Sequence, residues 1–117
     1  MKRELQKKAQ AHIRSDAVNK TINPEKQNRH NISSNEYIKG RSYLLLGIDA
    51  QELVNRYHGT GHVAISKGIW KNKETVTIDK VIGIHVDRLT GEETATNRFT
   101  IHYSNTGAHV VPAKRRW

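Results

Sequence analysis

The sequence predicts an α+β domain in which helices of the first half pack on one apolar face of an antiparallel sheet. Three observations support this prediction. Capping signals and helix-prone residues are concentrated in the first half, whereas alternating apolar and polar residues dominate the last third. A third observation is the length of 117 residues, which suffices for one domain with a single modest core.

Residues 2–14 form a basic, helix-prone segment with only a thin apolar stripe. The stripe consists of Leu5, Ala9, His12 and Ile13. Ser15-Asp16 can cap a short second turn over residues 17–21. A solvated charged face is the simplest interpretation of this segment. We therefore separate residues 1–21, as a basic helical lead-in or connector, from the main domain over residues 22–117.

A second helix is predicted after Asn23-Pro24, because asparagine caps helices and proline suits the first helical position. On this helix Lys26 and His30 are spaced i and i+4, and Lys26 and Arg29 are spaced i and i+3, so these side chains are neighbours. A lysine and a histidine aimed together are typical of a site that binds phosphate and transfers a proton. The alternative is a helix end with solvated charges, which spacing alone favours.

The middle of the chain contains one further helix and several short strands. Asp49 and Glu52 form a capping-box pattern that opens a helix ending near residue 57. Strands are predicted over residues 43–46, 63–65, 69–70, 75–78 and 81–86. His58 and His62 are four residues apart, but the glycines between them exclude a shared helical face. We interpret both as loop histidines rather than zinc ligands.

The clearest element is a β-hairpin over residues 98–113. Phe99, Ile101 and Tyr103 alternate with polar residues along its first arm, and residues 104–107 have the composition of a turn. Pro112 cannot donate to the ladder, so the second arm ends there or lies at a sheet edge.

The register of this hairpin determines whether two histidines meet. With Tyr103 paired to Ala108, His102 falls directly opposite His109 on the polar face, with Cβ atoms about 5 Å apart. A three-residue loop with a bulge would break this pairing. Geometry leaves two interpretations evenly open: a hydrogen-bonded cross-strand pair, or two imidazoles that act together on a substrate.

A turn at Thr90-Gly91 is expected to pair His85 with Thr96. The strand over residues 81–86 would then be the first of three C-terminal strands in an antiparallel meander. In that arrangement His85 lies on the same polar face as His102.

The composition favours an anionic partner. Twenty Lys and Arg residues against 11 Asp and Glu residues give a formal net charge of +9. The lack of cysteine excludes disulfides, thiolate zinc sites and a cysteine nucleophile. No apolar run approaches the ~18 residues of a membrane helix, so we expect no membrane insertion. No signal peptide is visible, so any export would depend on another element.

The residue inventory suits metal-independent RNA cleavage. No phosphate-binding glycine loop, serine-hydrolase elbow or metalloprotease motif is present, and the acidic residues are too scattered for a two-metal nuclease or a glycosidase. In RNA the 2′-hydroxyl is itself the nucleophile. The protein then supplies a base, an acid, and cations or hydroxyls for the charged phosphorane.

Several motifs resemble the bacterial polymorphic toxin type 50 family over roughly residues 22–114. They are Lys26-Gln-Asn-Arg-His30, Gly40-Arg-Ser42, Gln51-Glu-Leu-Val-Asn55, Gly59-Thr-Gly61, Trp70-Lys-Asn-Lys-Glu74 and, most specific, Ile101-His-Tyr-Ser-Asn-Thr-Gly-Ala-His-Val-Val-Pro112. The resemblance implies a C-terminal toxin module of a larger secreted or phage-associated protein. It also implies an RNase of the barnase–EndoU–colicin–RelE class, with helices on a roughly four-stranded antiparallel sheet.

The family's motifs carry over residue by residue. Its Lys-Gln-x-x-His motif falls on Lys26 and His30. Its His-Tyr-Ser-x-x-Gly-x-His motif falls on His102, Tyr103, Ser104, Gly107 and His109, and Thr106 matches a frequent threonine. The other four histidines of the chain, His85 among them, are not part of the pattern.

The residues and the resemblance lead to one hypothesis: a metal-independent endoribonuclease toxin domain that leaves a 2′,3′-cyclic phosphate. The predicted catalytic residues are Lys26, His30, His102 and His109. The predicted substrate-binding residues are Arg29, Arg41, Ser42, Tyr103, Ser104 and Thr106. We expect neither a metal ion nor a cofactor.

The expected partners are the RNA substrate and an acidic cognate immunity protein that covers the polar face of the hairpin. We expect a monomer, delivered from a bacterium, that acts in the cytoplasm of a target cell. The alternative is a non-catalytic nucleic-acid-binding module or a phage accessory protein, which the composition supports equally well.

Overall fold

Helices and strands follow one another largely in the predicted order, and the α+β prediction is confirmed. The structure, a computed structural model, describes residues 2–115. No helix in this range is both long and apolar enough to cross a membrane. The elements are α1 (Lys2–Arg14), α2 (Pro24–Asn28), β1 (Tyr43–Leu44), α3 (Ala50–Tyr57), β2 (His62–Ser66), β3 (Ile69–Thr77), β4 (Gly83–Val86), β5 (Glu93–Thr96), β6 (Arg98–Ser104) and β7 (Gly107–Ala113).

The strands form two antiparallel sheets, a four-stranded one of order β2-β3-β6-β7 and a three-stranded one of order β1-β4-β5. The predicted C-terminal meander is therefore wrong, because β5 does not pair with β6. Asn97 carries the chain from one sheet to the other. Its side chain donates a hydrogen bond of 2.9 Å to the carbonyl oxygen of Ile78. Its own carbonyl oxygen accepts one of 3.0 Å from the Ile78 N–H.

The predicted register of β4 against β5 is wrong by two residues. His85 pairs with Thr94 rather than with Thr96. The Asp87 carboxylate accepts hydrogen bonds from the N–H groups of Leu89 (2.8 Å) and Thr90 (3.0 Å). These bonds close a tight loop over residues 88–91. Because a shift of two residues preserves the alternation of faces, it does not turn His85 to the opposite face.

Two local predictions are also corrected. The strands expected over residues 69–70 and 75–78 are the single strand β3, in which Asn72 adopts a left-handed conformation with φ 62°. The short helical turn expected over residues 17–21 is an irregular turn, in which the Ser15 hydroxyl accepts a 3.3 Å hydrogen bond from the Ala17 N–H. Ser15 thus caps a turn that does not continue as a helix.

The core lies between the helices and the inner face of the four-stranded sheet. From the helices it takes Ala9, Ile13, Leu53 and Val54. From the strands it takes Val63, Val76, Phe99, Ile101, Tyr103, Ala108 and Val110. Fully burying one large apolar side chain contributes roughly 1.5–3 kcal/mol. Helix α1, part of the segment that the sequence analysis set apart as a lead-in, thus contributes to the same core as the residues that follow it.

Helix α2 covers an exposed sheet edge and thereby fixes its own position beside the hairpin. Strand β7 is an edge strand, as Pro112 predicts. The Gln27 side chain donates to the carbonyl oxygen of Val110 (2.9 Å) and accepts from its N–H (2.6 Å). This pair satisfies backbone groups that an open edge would leave free. The Asn23 side chain caps the helix through the Lys26 N–H, as predicted.

The two sheets meet where Gly83 of β4 faces Pro112 of β7. A Cβ atom on Gly83 would lie 2.6 Å from the Pro112 ring and 2.6 Å from the Tyr43 carbonyl oxygen. Only glycine permits this approach. The three-stranded sheet therefore stands against the edge strand of the hairpin. Its residues His85 and Val86 line a cavity together with His102 and His109 of the polar face.

Candidate active site

Three histidine rings lie in parallel over the polar face of the hairpin. The predicted register is confirmed, since His102 pairs directly with His109. Their ring centroids are 4.6 Å apart with an interplanar angle of 12°. The ring of His30 is also nearly parallel to that of His109, with centroids 6.0 Å apart and an interplanar angle of 12°. We call His30, His102 and His109 the histidine stack.

His30 reaches the stack from a turn rather than from a helix. Helix α2 ends at Asn28, so the expectation that Lys26 and His30 share a helical face is wrong. His30 is 6% exposed, and its Nδ1 lies 2.9 Å from the carbonyl oxygen of Ser42. A carbonyl oxygen only accepts, so Nδ1 carries the proton. In the neutral ring Nε2 therefore keeps a lone pair that can take up a proton.

The histidine stack forms part of the wall of a cavity of about 410 Å³ between the two sheets, which we call the histidine cavity. Its titratable lining residues are His30, Arg41, His85, Arg88, His102, His109 and Lys114. None of the described residues that line it is acidic. The charges around the cavity are therefore complementary to an anion.

A lysine and two hydroxyls form a second cluster at the tip of the hairpin. The Nζ atom of Lys26 lies 3.3 Å from Ser104 Oγ and 3.3 Å from Thr106 Oγ1. The two hydroxyl oxygens are 3.0 Å apart. We call these three residues the lysine–hydroxyl cluster. It presents one positive charge and two hydroxyl groups, which together suit the non-bridging oxygens of a phosphate.

Burial and neighbouring cations keep the histidine stack uncharged at neutral pH. Burial, reinforced by Lys73 and His30, lowers the pKa of His102 to about 4. Burial, reinforced by His102, His30 and Lys26, lowers the pKa of His109 to about 4. Burial also lowers the pKa of His30, and Arg41 and Arg29 add to this, although the Ser42 carbonyl opposes it.

These shifts predict that the domain loses stability as the pH falls from about 6.5 towards 4. In that window the unfolded chain protonates histidines that the folded chain keeps neutral, so the unfolded state binds more protons and stability rises with pH. Urea unfolding at pH 7.0, 5.5 and 4.5 measures the effect. Carboxylates also titrate near pH 4, so the informative comparison is with the double variant His102→Gln/His109→Gln. Its stability should depend less on pH, and parallel curves for the two proteins would contradict this explanation.

The remaining predicted site residues divide into two groups. Arg29 and Arg41 are exposed and close enough to lower the pKa of His30. Ser42 is buried, and its hydroxyl accepts a 2.9 Å hydrogen bond from the Val86 N–H, which ties β1 to β4. The hydroxyl of Tyr103 is also buried, on the core side of the sheet. Ser42 lines the histidine cavity, where its carbonyl oxygen accepts from His30, whereas Tyr103 is not among the residues that line it.

The buried hydroxyl of Tyr103 belongs to a polar cluster inside the core. It donates to the carboxylate of Glu74, which is 0% exposed. The same carboxylate accepts hydrogen bonds from the N–H groups of Gly59 (2.8 Å) and Gly61 (3.1 Å). Burial, followed by Glu74, raises the pKa of Tyr103. This cluster explains the glycine motif and the glutamate of the Trp70–Glu74 motif as structural.

The structure adds basic residues to the site that were not predicted there from the sequence. Lys73 pairs with His102 across β3 and β6. The polar run at residues 71–73 predicts a break between two strands, so Lys73 was not expected at the site. His85 and Arg88 line the histidine cavity from the three-stranded sheet and its loop. Alternation did place His85 on a polar face, although the sheet assigned to it was wrong.

The geometry differs from that of a metal centre. Among residues 2–115 no group of three or more histidine, cysteine, aspartate or glutamate side chains is arranged to hold a metal ion. The planes of the three histidine rings are nearly parallel, whereas zinc ligands point their nitrogen atoms at one centre.

Comparison with known proteins gives a family. The sequence model of the family described as bacterial toxin 50 matches residues 22–112, which include the histidine stack and the lysine–hydroxyl cluster. No curated protein matches the chain. The match covers most of the chain and agrees with the resemblance found in its motifs, so the chain belongs to the bacterial toxin 50 family.

Proposed function

We propose that this toxin domain is a metal-independent endoribonuclease that cleaves RNA through attack of the 2′-hydroxyl on the adjacent phosphate. The observation that carries the proposal is the histidine stack in a basic cavity, with the lysine–hydroxyl cluster beside it. Imidazoles can exchange protons near neutral pH, and the surrounding cations attract a polyanion. Arg29 and Arg41 would bind flanking phosphates.

In the proposed reaction one neutral imidazole takes the proton of the 2′-hydroxyl while its oxygen attacks phosphorus. The 5′-oxygen of the next nucleotide leaves and receives a proton from a second, protonated imidazole. The products are a 2′,3′-cyclic phosphate and a free 5′-hydroxyl. Lys26, with Ser104 and Thr106, stabilises the added charge on the phosphorane. His30 suits the base role, because its Nδ1–H is held by the Ser42 carbonyl and its Nε2 is free to accept a proton.

Substrate binding supplies the protonated imidazole. In the free protein the pKa of His102 and that of His109 are about 4, so both rings are neutral at pH 7. A phosphate placed between the stack and Lys26 brings a negative charge that raises these pKa values. Since kcat/KM reports the free enzyme and kcat reports the complex, the optimum of kcat/KM is expected at a lower pH than the optimum of kcat.

The chemistry of the cleaved ends tests the proposal directly. We expect the purified domain to cut a labelled RNA in the presence of EDTA and to leave 2′,3′-cyclic phosphate and 5′-hydroxyl ends. The domain holds no carboxylate or thiolate cluster among residues 2–115 that would bind a catalytic ion. Cleavage that stops in EDTA and returns with magnesium or manganese would refute the metal-independent reaction. Tight RNA binding without any cleavage would favour a nucleic-acid-binding module instead.

A toxin domain of this family implies an immunity partner in the producing cell. We infer an acidic protein that covers the histidine cavity, since opposite potentials speed association and coverage of the substrate site inhibits directly. A tight complex in which His102 and His109 stay open to RNA would contradict this inference. As a delivered effector the domain would act on RNA in the cytoplasm of the target cell.

A further inference from the structure

A second polar pocket lies beside the lysine–hydroxyl cluster, on the α1 side of the hairpin tip. Its volume is about 340 Å³, and we call it the hairpin-tip pocket. It is lined by His12, Ala17, Val18, Asn19, Trp70, Asn72, Tyr103, Ser104 and Asn105. None of the predicted catalytic residues is among them. Ser104 belongs to both sites, since it lines this pocket and its Oγ lies 3.3 Å from Lys26 Nζ.

Aromatic rings form one wall of this pocket. The half-buried Trp70 ring packs against His12 with centroids 5.7 Å apart at 80°, and against Tyr103 at 5.6 Å and 53°. Neither neighbour is stacked in parallel on the indole, and His12 is exposed. The indole N–H of Trp70 donates a hydrogen bond of 3.1 Å to the carbonyl oxygen of Lys73, which fixes the ring. A fixed indole with an unstacked face is a platform for a planar ligand.

Two amide side chains stand at the rim of the pocket with unused hydrogen-bonding groups. Asn72 and Asn105 are both exposed, and neither side chain makes a hydrogen bond to any other described residue. Asn72 is held in a left-handed conformation within β3, which most residues avoid. Asparagine amides offer a donor and an acceptor side by side, the pattern that matches the edge of a nucleobase.

We propose that the hairpin-tip pocket is a nucleobase subsite for the RNA substrate. The base of a nucleotide whose phosphate lies on the lysine–hydroxyl cluster stacks on Trp70 and is read by Asn72 and Asn105. The identity of the ligand rests on the proposed ribonuclease function. The geometry of the pocket does not depend on the histidine stack. Stacking on aromatic residues combined with amide contacts to base edges is how proteins recognise unpaired RNA bases.

Tryptophan fluorescence tests binding in this pocket without any cleavage. The chain has two tryptophans, so Trp117→Phe leaves Trp70 as the single emitter. We expect the four nucleoside 3′-monophosphates to change its emission saturably. The double variant Asn72→Gly/Asn105→Ala should weaken that binding about tenfold or more, because a paired amide contact is lost. Glycine is used at position 72 because it tolerates the positive φ. Asn35→Ala, an exposed asparagine outside the pocket, is the matched control and should leave the affinity unchanged.

Inorganic phosphate distinguishes a base subsite from a simple anion site. Equal emission changes with phosphate and with the nucleotides would overturn the base subsite, as would an absence of any saturable change. An RNA cleavage assay on the same protein separates this failure from failure of the proposed function. Cleavage without nucleotide binding at Trp70 refutes only the subsite. Nucleotide binding that depends on the two asparagines, but without cleavage, supports the subsite and refutes the ribonuclease.

Discussion

Replacing His102 by alanine is expected to lower the rate of RNA cleavage by about 10²–10⁴-fold, the usual cost of removing an acid or base group. The ring lies between strand β6 and the histidine cavity and stacks at 4.6 Å on His109. It is only partly buried and makes no hydrogen bond within the described part of the chain, so its removal should leave the fold intact. Initial rates on a labelled RNA, with circular dichroism as the check on folding, measure the effect.

Two other histidines provide graded controls for this variant. His58→Ala should keep near-full activity, because that ring caps α3 through the Val54 carbonyl and does not line the histidine cavity. His85→Ala should lose less activity than His102→Ala, because His85 lines the cavity but lies outside the histidine stack. Near-full activity of a folded His102→Ala protein would show that the proposed site is wrong.

A substrate with an activated leaving group assigns the role of His102. The two substrates compared are RNA and a nucleotide ester with a nitrophenolate leaving group. Nitrophenolate leaves without a proton, so loss of the general acid hardly slows cleavage of the ester, whereas loss of the general base slows cleavage of both substrates. We expect His30→Gln to be slow on both substrates if His30 is the base that takes the 2′-hydroxyl proton. Glutamine at this position keeps a donor for the Ser42 carbonyl, which protects the local fold.

Replacing Glu74 by glutamine is expected to destabilise the domain by roughly 2–4 kcal/mol, a large share of the ~5–15 kcal/mol typical of a domain. Its two buried carboxylate oxygens accept from Gly59, Gly61 and Tyr103. An amide has one acceptor oxygen, and its NH₂ group would face a donor that it cannot bind. At least one buried N–H is then left without a partner. The urea midpoint measures the loss.

Tyr103→Phe is the matched control because it removes a single hydrogen bond from the same cluster. We expect it to cost about 1 kcal/mol, since the carboxylate keeps both glycine N–H partners. If Glu74→Gln lowers the free energy of unfolding no more than Tyr103→Phe does, the carboxylate does not organise the Gly59–Gly61 loop.

Local sequence patterns predicted two parts of the site: the pairing of residues within the hairpin and the start of helix α2. Alternation along β6 and a turn at residues 104–107 predicted His102 opposite His109, because a two-stranded register depends on residues a few positions apart. In the same way, Asn23-Pro24 determined where α2 begins, since a cap is a contact between near neighbours.

The assembly of the site was decided by the tertiary structure. Alternation indicates which side of a strand is apolar, but it does not indicate which sheet the strand joins. Strand β4 therefore appeared to extend the hairpin, whereas Asn97 directs it into a separate sheet that encloses the histidine cavity. For the same reason Lys73 was not predicted at the site, since it lies in the polar middle of β3, which has the composition of a loop.

By itself, the sequence determined the α+β class, the pair of facing histidines, the positive charge and the family motifs. The tertiary structure alone brought His30 to the stack, because Gln27 anchors α2 to the edge of β7 across a separation of 83 residues. It also engaged the hydroxyls of Ser42 and Tyr103 in hydrogen bonds with Val86 and Glu74, buried partners that local sequence does not reveal. Contacts of this kind depend on how distant segments pack, and no local pattern encodes them.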